Sequence, residues 1–379
     1  MARKRATDLS KTDMTMLVLI VLLVIFGLAV LFSSSEYNGR VRFGDSACYF
    51  KKQLFATALG MGVMYMVSSI DYHFFLRLGP VAYLISMFLS GAVLFVGQEI
   101  NGSKRWLNLG PLSFQPSEFA KVAVILFLAW QIERTKKATR GFGFMCRTIL
   151  TLLPIIGLVG SNNLSTAIIV MAITVLLLFL VHPKTKRFVV FACVVLVLAV
   201  IVVVYLKIQI SDMATSTDFR MRRIIAWLNP EANSDKDSYQ FLQGLYAIGS
   251  GGFFGKGLGN STQKLSAIPE AQNDMILTVI CEELGVFGAI LILCLFGFML
   301  YRLMFIARNA PDLYGSLIAA GIFSHIALQV ILNIAVVTGL IPTTGVTLPF
   351  ISYGGTAVVF LLAEMGIALG ISSKIELKD

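Results

Sequence analysis

Residues 268–285, IPEAQNDMILTVICEELG, place four carboxylates, Glu270, Asp274, Glu282 and Glu283, where a long apolar run begins. An acid in such surroundings is costly unless paired or wet, so each is a candidate for chemistry. The apolar stretch Leu284 to Tyr301 spans ~27 Å as a helix, nearly a bilayer's hydrocarbon core. That puts Glu282 and Glu283 near one interface and Asp274 about two turns further out. A carboxylate there can remove a proton from a substrate lying at the surface. A second charged pair, Glu118 and Lys121 in QPSEFAK, is spaced to share one helical face. Glu118 also falls in the first turn after Pro116, where the helix dipole favours an anion. The pair reads equally as a packing device or as the wall of a cavity for a charged head group. In NGSKRWLNLG, Lys104 and Arg105 stand beside Trp106. The trio suits an interfacial belt, and it also suits a sugar on the ring with a phosphate on the cations.

Other chemistries are poorly served. The five cysteines are scattered without metal-ligand spacing, and His73, His182 and His325 are dispersed, so no metal site is expected. The glycine-rich stretch GSGGFFGKGLGN fails the P-loop pattern at Ser250 and Gly257. It reads as a loop needing unusual backbone angles, with contact between its N–H groups and a lipid pyrophosphate as the sharper alternative.

The elements that must hold these residues are membrane spans. The chain has 379 residues, 57% of them hydrophobic and 14% charged, with a mean hydropathy of +0.81. A soluble protein carries about 25% charged residues. Ten apolar runs predict ten spans, at 14–33, 53–70, 77–96, 117–132, 148–162, 164–181, 188–206, 275–303, 314–340 and 349–371. The first is read as a retained anchor, because no small-residue cleavage site follows it. The expected fold is all-α and polytopic, a single membrane domain with both termini cytoplasmic (tails 1–13 and 372–379) and a large outer loop, 207–273, between spans seven and eight. The net charge of +10 does not point to nucleic acid. With the N-terminus inside, the cytoplasmic segments take most of the Lys and Arg, including Arg3, Lys4, Arg5, Arg134, Lys136, Lys137, Lys184, Lys186 and Arg187, so basicity sets orientation. In the outer loop, apolar residues around Ile224, Ile225 and Trp227 predict a short interfacial helix, and YQFLQGLYAI predicts a second along the membrane surface. The prolines and glycines of VVTGLIPTTGVTLPFISYGGT interrupt the ninth span at its outer side, as is tolerated where backbone lines a wet cavity. These residues describe an outward-facing polar cavity, which a membrane enzyme and a transporter explain equally.

NGSKRWLNLGPLSFQPSEFAK, YQFLQGLYAIGSGGFFGKGLGNSTQK, IPEAQNDMI followed by EELG, and GLIPTTGVTLPFISYGG occur in that order along the chain. With them the sequence resembles the SEDS family of bacterial shape, elongation, division and sporulation proteins, nearer its FtsW and SpoVE branch than RodA. The resemblance implies an inverting peptidoglycan glycosyltransferase that polymerises lipid II at the outer face of the cytoplasmic membrane. The family's catalytic acid, in a P-E-x-x-x-D-F-I motif, falls on Asp274, with Met275 where the family has Phe. Within the matching segments, Lys104, Arg105, Trp106, Glu118, Lys121, Lys264, Glu270 and Ser352 are the substrate-binding candidates. Asn163 stands where the family carries an acid, which removes a charge from the expected cavity. No cofactor is assigned, and whether a divalent cation, magnesium or manganese, is required is left open. The implied partners are lipid II, other division proteins and a class B penicillin-binding protein, its helix beside spans eight and nine and its outer domain over loop 207–273. A lipid-linked precursor flippase and a catalytically idle division scaffold are the competing classes.

Overall fold

The computed structural model describes residues 13–100, 103–109, 112–135, 142–183, 186–208, 219–230, 236–265, 268 and 271–376. The termini 1–12 and 377–379, the whole 209–218 connection and Glu270 therefore lie outside the described residues. The chain begins with α1 (Met14–Phe43), α2 (Cys48–Ser69) and α3 (Phe74–Val96). Three short strands follow, β1 (Gln98–Ile100), β2 (Ser103–Leu109) and β3 (Leu112–Phe114), paired as an antiparallel meander. Next come α4 (Pro116–Arg134), α5 (Phe142–Asn162), α6 (Leu164–Val181) and α7 (Lys186–Ile208). Two shorter helices, α8 (Phe219–Leu228) and α9 (Lys236–Gly251), precede α10 (Ile276–Asn309), α11 (Leu313–Val337) and α12 (Gly355–Ser372).

The ninth expected span ends at Val337 rather than 340 and the tenth begins at Gly355 rather than 349, because the intervening backbone is not helical, but each of the ten has its counterpart among the long helices. Eight of those are long and apolar enough to cross a membrane. The other two, α2 and α4, are of similar length but carry charges, Lys51 and Lys52 in one and Glu118 and Lys121 in the other. The fold is a multi-pass, all-α membrane architecture. Its core is laid around α4, α11 and α12, with α12 packed along α2, α4 along α3, and α11 along α10.

Ten passes return the chain to the end where it started, and side chains fasten that end. Asp13 caps α1 by accepting from the Met16 N–H, and it receives Arg302 of α10 at 2.6 Å. The Asp13 N–H donates to Ser372 Oγ at the close of α12. Beside them, His73 bridges Asp71 (2.8 Å) and Asp312 (2.6 Å), Tyr72 donates to Asp312, and Lys374 pairs with Asp71. Burial pushes the Asp71 carboxyl up. The bonds from Lys374 and from the backbone and ring of His73 outweigh that and bring it from 3.8 to about 2.

At the opposite end the backbone is less regular. Helix α10 is broken at Gly285, whose φ of 70° and ψ of −169° belong to a region essentially restricted to glycine. The glycine-rich stretch threads through the break as a strap. Lys256 and Gly257 donate to the carbonyls of Glu282 and Glu283, while Val286 and Phe287 donate to those of Gly252 and Phe253. A Cβ on Gly285 would sit 2.3 Å from the Phe253 carbonyl oxygen. The glycines serve this close backbone approach, and the N–H groups a pyrophosphate would need at Lys256 and Gly257 are already taken.

Candidate active site

Asp274 lies just before α10 and is partly exposed. Opposite it, residues 338–354 between α11 and α12 form no helix. Side chains from three other helices secure this segment's carbonyls. Arg223 of α8 donates to Thr343, Ser165 of α6 to Thr344, and Asn333 and Gln329 of α11 to Val346 and Thr347. Trp227, one turn on from Arg223, donates to Gly339. Non-helical backbone survives at the membrane only when its polar groups are matched in this way.

Gly345 is the bare point of that segment, with a φ of +74°. A Cβ there would lie 3.8 Å from Arg105 Nη1, 4.0 Å from Arg223 Nη1 and 4.0 Å from Asp274 Oδ2. One carboxylate and two guanidiniums thus converge on a space that glycine leaves open. They come from β2, α8 and the approach to α10. Arg105 is aimed by a bond from its Nε to the Asn162 carbonyl at 3.0 Å. Beyond Arg105 a small cleft is lined by Val93, Lys104, Leu158, Asn162 and Asn163 among others. This charge pattern can hold a dianion against the arginines while the carboxylate takes a proton beside it.

The other sequence-predicted residues take different places. Lys104 reaches the cleft, and Trp106 sits half-buried on the same strand. Glu118 and Lys121 pair at 3.0 Å as their spacing predicts, but they are sealed inside, with Lys121 only 2% exposed and directed at Gln329. Lys264 is buried in an ion pair with Glu283 at 2.7 Å, and both bond Ser33 of α1. Glu282 accepts from Lys256 at 2.6 Å, from Thr262 and from Ser261. Those two glutamates hold the strap, so among the described acids that opened the sequence Asp274 alone faces the arginines. Ser352 closes a turn, its Oγ accepting from the Leu348 N–H at 2.8 Å. Asn163 caps α6 by accepting from the Thr166 N–H, a task asparagine performs as well as aspartate. Among the described residues, no group of three or more His, Cys, Asp and Glu side chains comes together as a metal centre would need.

Sequence reasoning missed Arg223 and Asn333, and took Gly345 only as one of the glycines that interrupt the ninth span. The signals were present. Arg223 and Trp227 are i and i+4 on an amphipathic helix, and His325, Gln329 and Asn333 recur every fourth residue along an apolar span.

A multi-pass helical membrane protein with a polar, cation-rich site at one end of its bundle is the class that this fold and site define. Residues 13–376 match the family described as "Cell cycle protein", which groups FtsW, RodA and SpoVE. The chain belongs to that family. It is 36% identical over 370 residues to stage V sporulation protein E of Bacillus subtilis, covering 97% of this chain and 98% of the relative. It is 35% identical over 373 residues to the probable peptidoglycan glycosyltransferase FtsW of Trichlorobacter lovleyi, covering 97% and 95%. Among solved structures, a chain from work on polymerization and crosslinking by a peptidoglycan synthase complex superposes with a TM-score of 0.76 at 27% identity, covering 95% of this chain and 97% of that one. The rod-shape-determining protein RodA of Thermus thermophilus gives 0.69 at 26% identity, covering 97% and 98%. Family and span pattern together make this a multi-pass protein of the bacterial cytoplasmic membrane.

Proposed function

We propose that the protein is a peptidoglycan glycosyltransferase that polymerises lipid II into β-1,4-linked glycan at the outer face of the cytoplasmic membrane. The observation that carries this reading is the convergence of Asp274, Arg105 and Arg223 on Gly345. Asp274 acts as general base, taking the proton from the acceptor sugar's 4-hydroxyl as that oxygen bonds to the donor's anomeric carbon. The bond from that carbon to the pyrophosphate oxygen breaks on the opposite face, so the configuration inverts. Arg105 and Arg223 carry the charge that develops on the departing pyrophosphate, with Lys104 at the edge of the same cleft. Glu118, Lys121, Lys264 and Ser352 support the site from behind and do not touch substrate.

The inner charges do not favour a flippase. Lys121, Glu118, His325 and Glu364 are paired and at most 8% exposed, where transport would need a wet path. The physiological setting is septal or sporulation wall synthesis, since relatives of both kinds resemble the chain along nearly its whole length. The partner is a class B penicillin-binding protein, a reading supported by the likeness to a chain from a peptidoglycan synthase complex. The test is turnover of lipid II by the purified protein with that partner. Arg223→Ala is expected to lower kcat about 100-fold. Equal turnover by Arg105→Ala, Arg223→Ala and wild type would remove the arginines from the mechanism.

A further inference from the structure

Asn333 is fully buried near the end of α11, and its side-chain nitrogen makes two bonds, to the carbonyl of Asp274 at 2.9 Å and to that of Val346 at 2.8 Å. An amide NH2 has two hydrogens, and both neighbours are pure acceptors, so the nitrogen must face them. The amide oxygen, turned away, has no partner. One side chain therefore ties the backbone of the carboxylate to the residue following Gly345, the two parts of the site that share no element. Gln329, one turn earlier on the same stripe, accepts from Lys121 at 3.4 Å and donates to the Thr347 carbonyl at 3.0 Å. A further turn down, His325 pairs with Glu364 of α12 at 2.8 Å. The stripe is anchored at mid-depth on α12, braced against α4, and ends on the site.

We propose that Asn333 is a positioning residue that sets Asp274 against the open space at Gly345, with Gln329 holding Thr347, the next residue of the same loop. It touches no substrate and acts through the Asp274 backbone. The proposal rests on the reading of Asp274 as the base, and its geometric part can be tested without that reading. The two variants are Asn333→Ala and the isosteric Asn333→Asp, which offers both carbonyls a carboxyl oxygen in place of the amide hydrogens.

Hydrogen exchange on the full chain in detergent is expected to quicken at 273–277 and 344–348 in both variants. Exchange in the turn around Asp312, at the other end of the bundle, should be unchanged. Lipid II turnover with the penicillin-binding partner is expected to show kcat lowered about 100-fold, the cost of a misplacement of about 1 Å, with KM within about twofold. A purely structural role would instead change the amount of folded protein and leave kcat per folded molecule intact. Unchanged exchange in both segments overturns the tether. Quickened exchange with unchanged kcat overturns the positioning role. Should wild type itself fail to turn over lipid II, the proposed function fails, and the exchange result still decides whether Asn333 holds the two segments together.

Discussion

Arg105, Arg223 and Asp274 occupy one space although long stretches of chain separate them, and Gly345 keeps that space clear. Replacing Gly345 by alanine puts a methyl group among the three charges and forces an alanine to a φ of +74°, a left-handed geometry that costs about 1 kcal/mol or more. Gly345→Ala is therefore expected to fold with slightly reduced thermal stability and to lose most lipid II turnover, read as polymer formed per folded molecule. Arg223→Lys should not rescue the loss seen in Arg223→Ala, because an ammonium cannot both bond the Thr343 carbonyl and present a flat fork to a phosphate; turnover of the two variants side by side checks this. Asp274 was legible in the sequence because its neighbours carry a family motif, and Arg105 because it stands beside an aromatic. Arg223 was not, because its i, i+4 spacing to Trp227 marks a helix face but does not separate it from Arg220 and Arg222 until the fold shows where it reaches. Lys264 misled for the opposite reason: a lysine in a polar outer loop reads as available, and only the burial of Glu283 explains why it turns inward.

The helices themselves were plain from apolar length, and α8 from the apolar residues Ile224, Ile225 and Trp227 in a polar loop. The break in α10 was not, since EELGVFG reads as continuous helix until Phe253 is seen packed where a Gly285 side chain would be. The strap supplies what the break exposes, through backbone bonds and the two glutamate ion pairs. Buried ion pairs contribute little beyond their replacement by apolar groups but cost about 3–5 kcal/mol when only one partner is removed. Lys264→Met is accordingly expected to lower the melting temperature markedly, and Lys264→Met with Glu283→Gln and Ser33→Ala to recover much of the loss, as measured by thermal unfolding in detergent. Equal melting of the single and combined variants would mean that the pair does not hold the strap. The meander β1–β3 also escaped sequence reading, because β1 and β3 have three residues each and β2, SKRWLNL, does not alternate polar with apolar, yet β2 is what delivers Arg105.

Over the whole molecule, the even number of passes and the bonds of Asp13 to Ser372 and Arg302 put the start of α1 and the close of α12 opposite Asp274. With the basic segments inside, Lys52→Cys in a cysteine-free background should react with an impermeant thiol reagent on intact cells, and Asn309→Cys only after permeabilisation. The inner network adds a pH dependence. Asp71 titrates lower in the folded protein than in the unfolded chain, so its contribution is present above 3.8 and is lost as pH falls toward about 2. Melting of the wild type should fall across that window more steeply than melting of Asp71→Asn. All of this arranges one carboxylate at the outer surface, and the most direct measurement is polymer formed from lipid II by the protein with its penicillin-binding partner, wild type against folded Asp274→Asn. The account predicts glycan strands from wild type and a loss of about 100-fold or more in the variant. Equal polymer from both would contradict it.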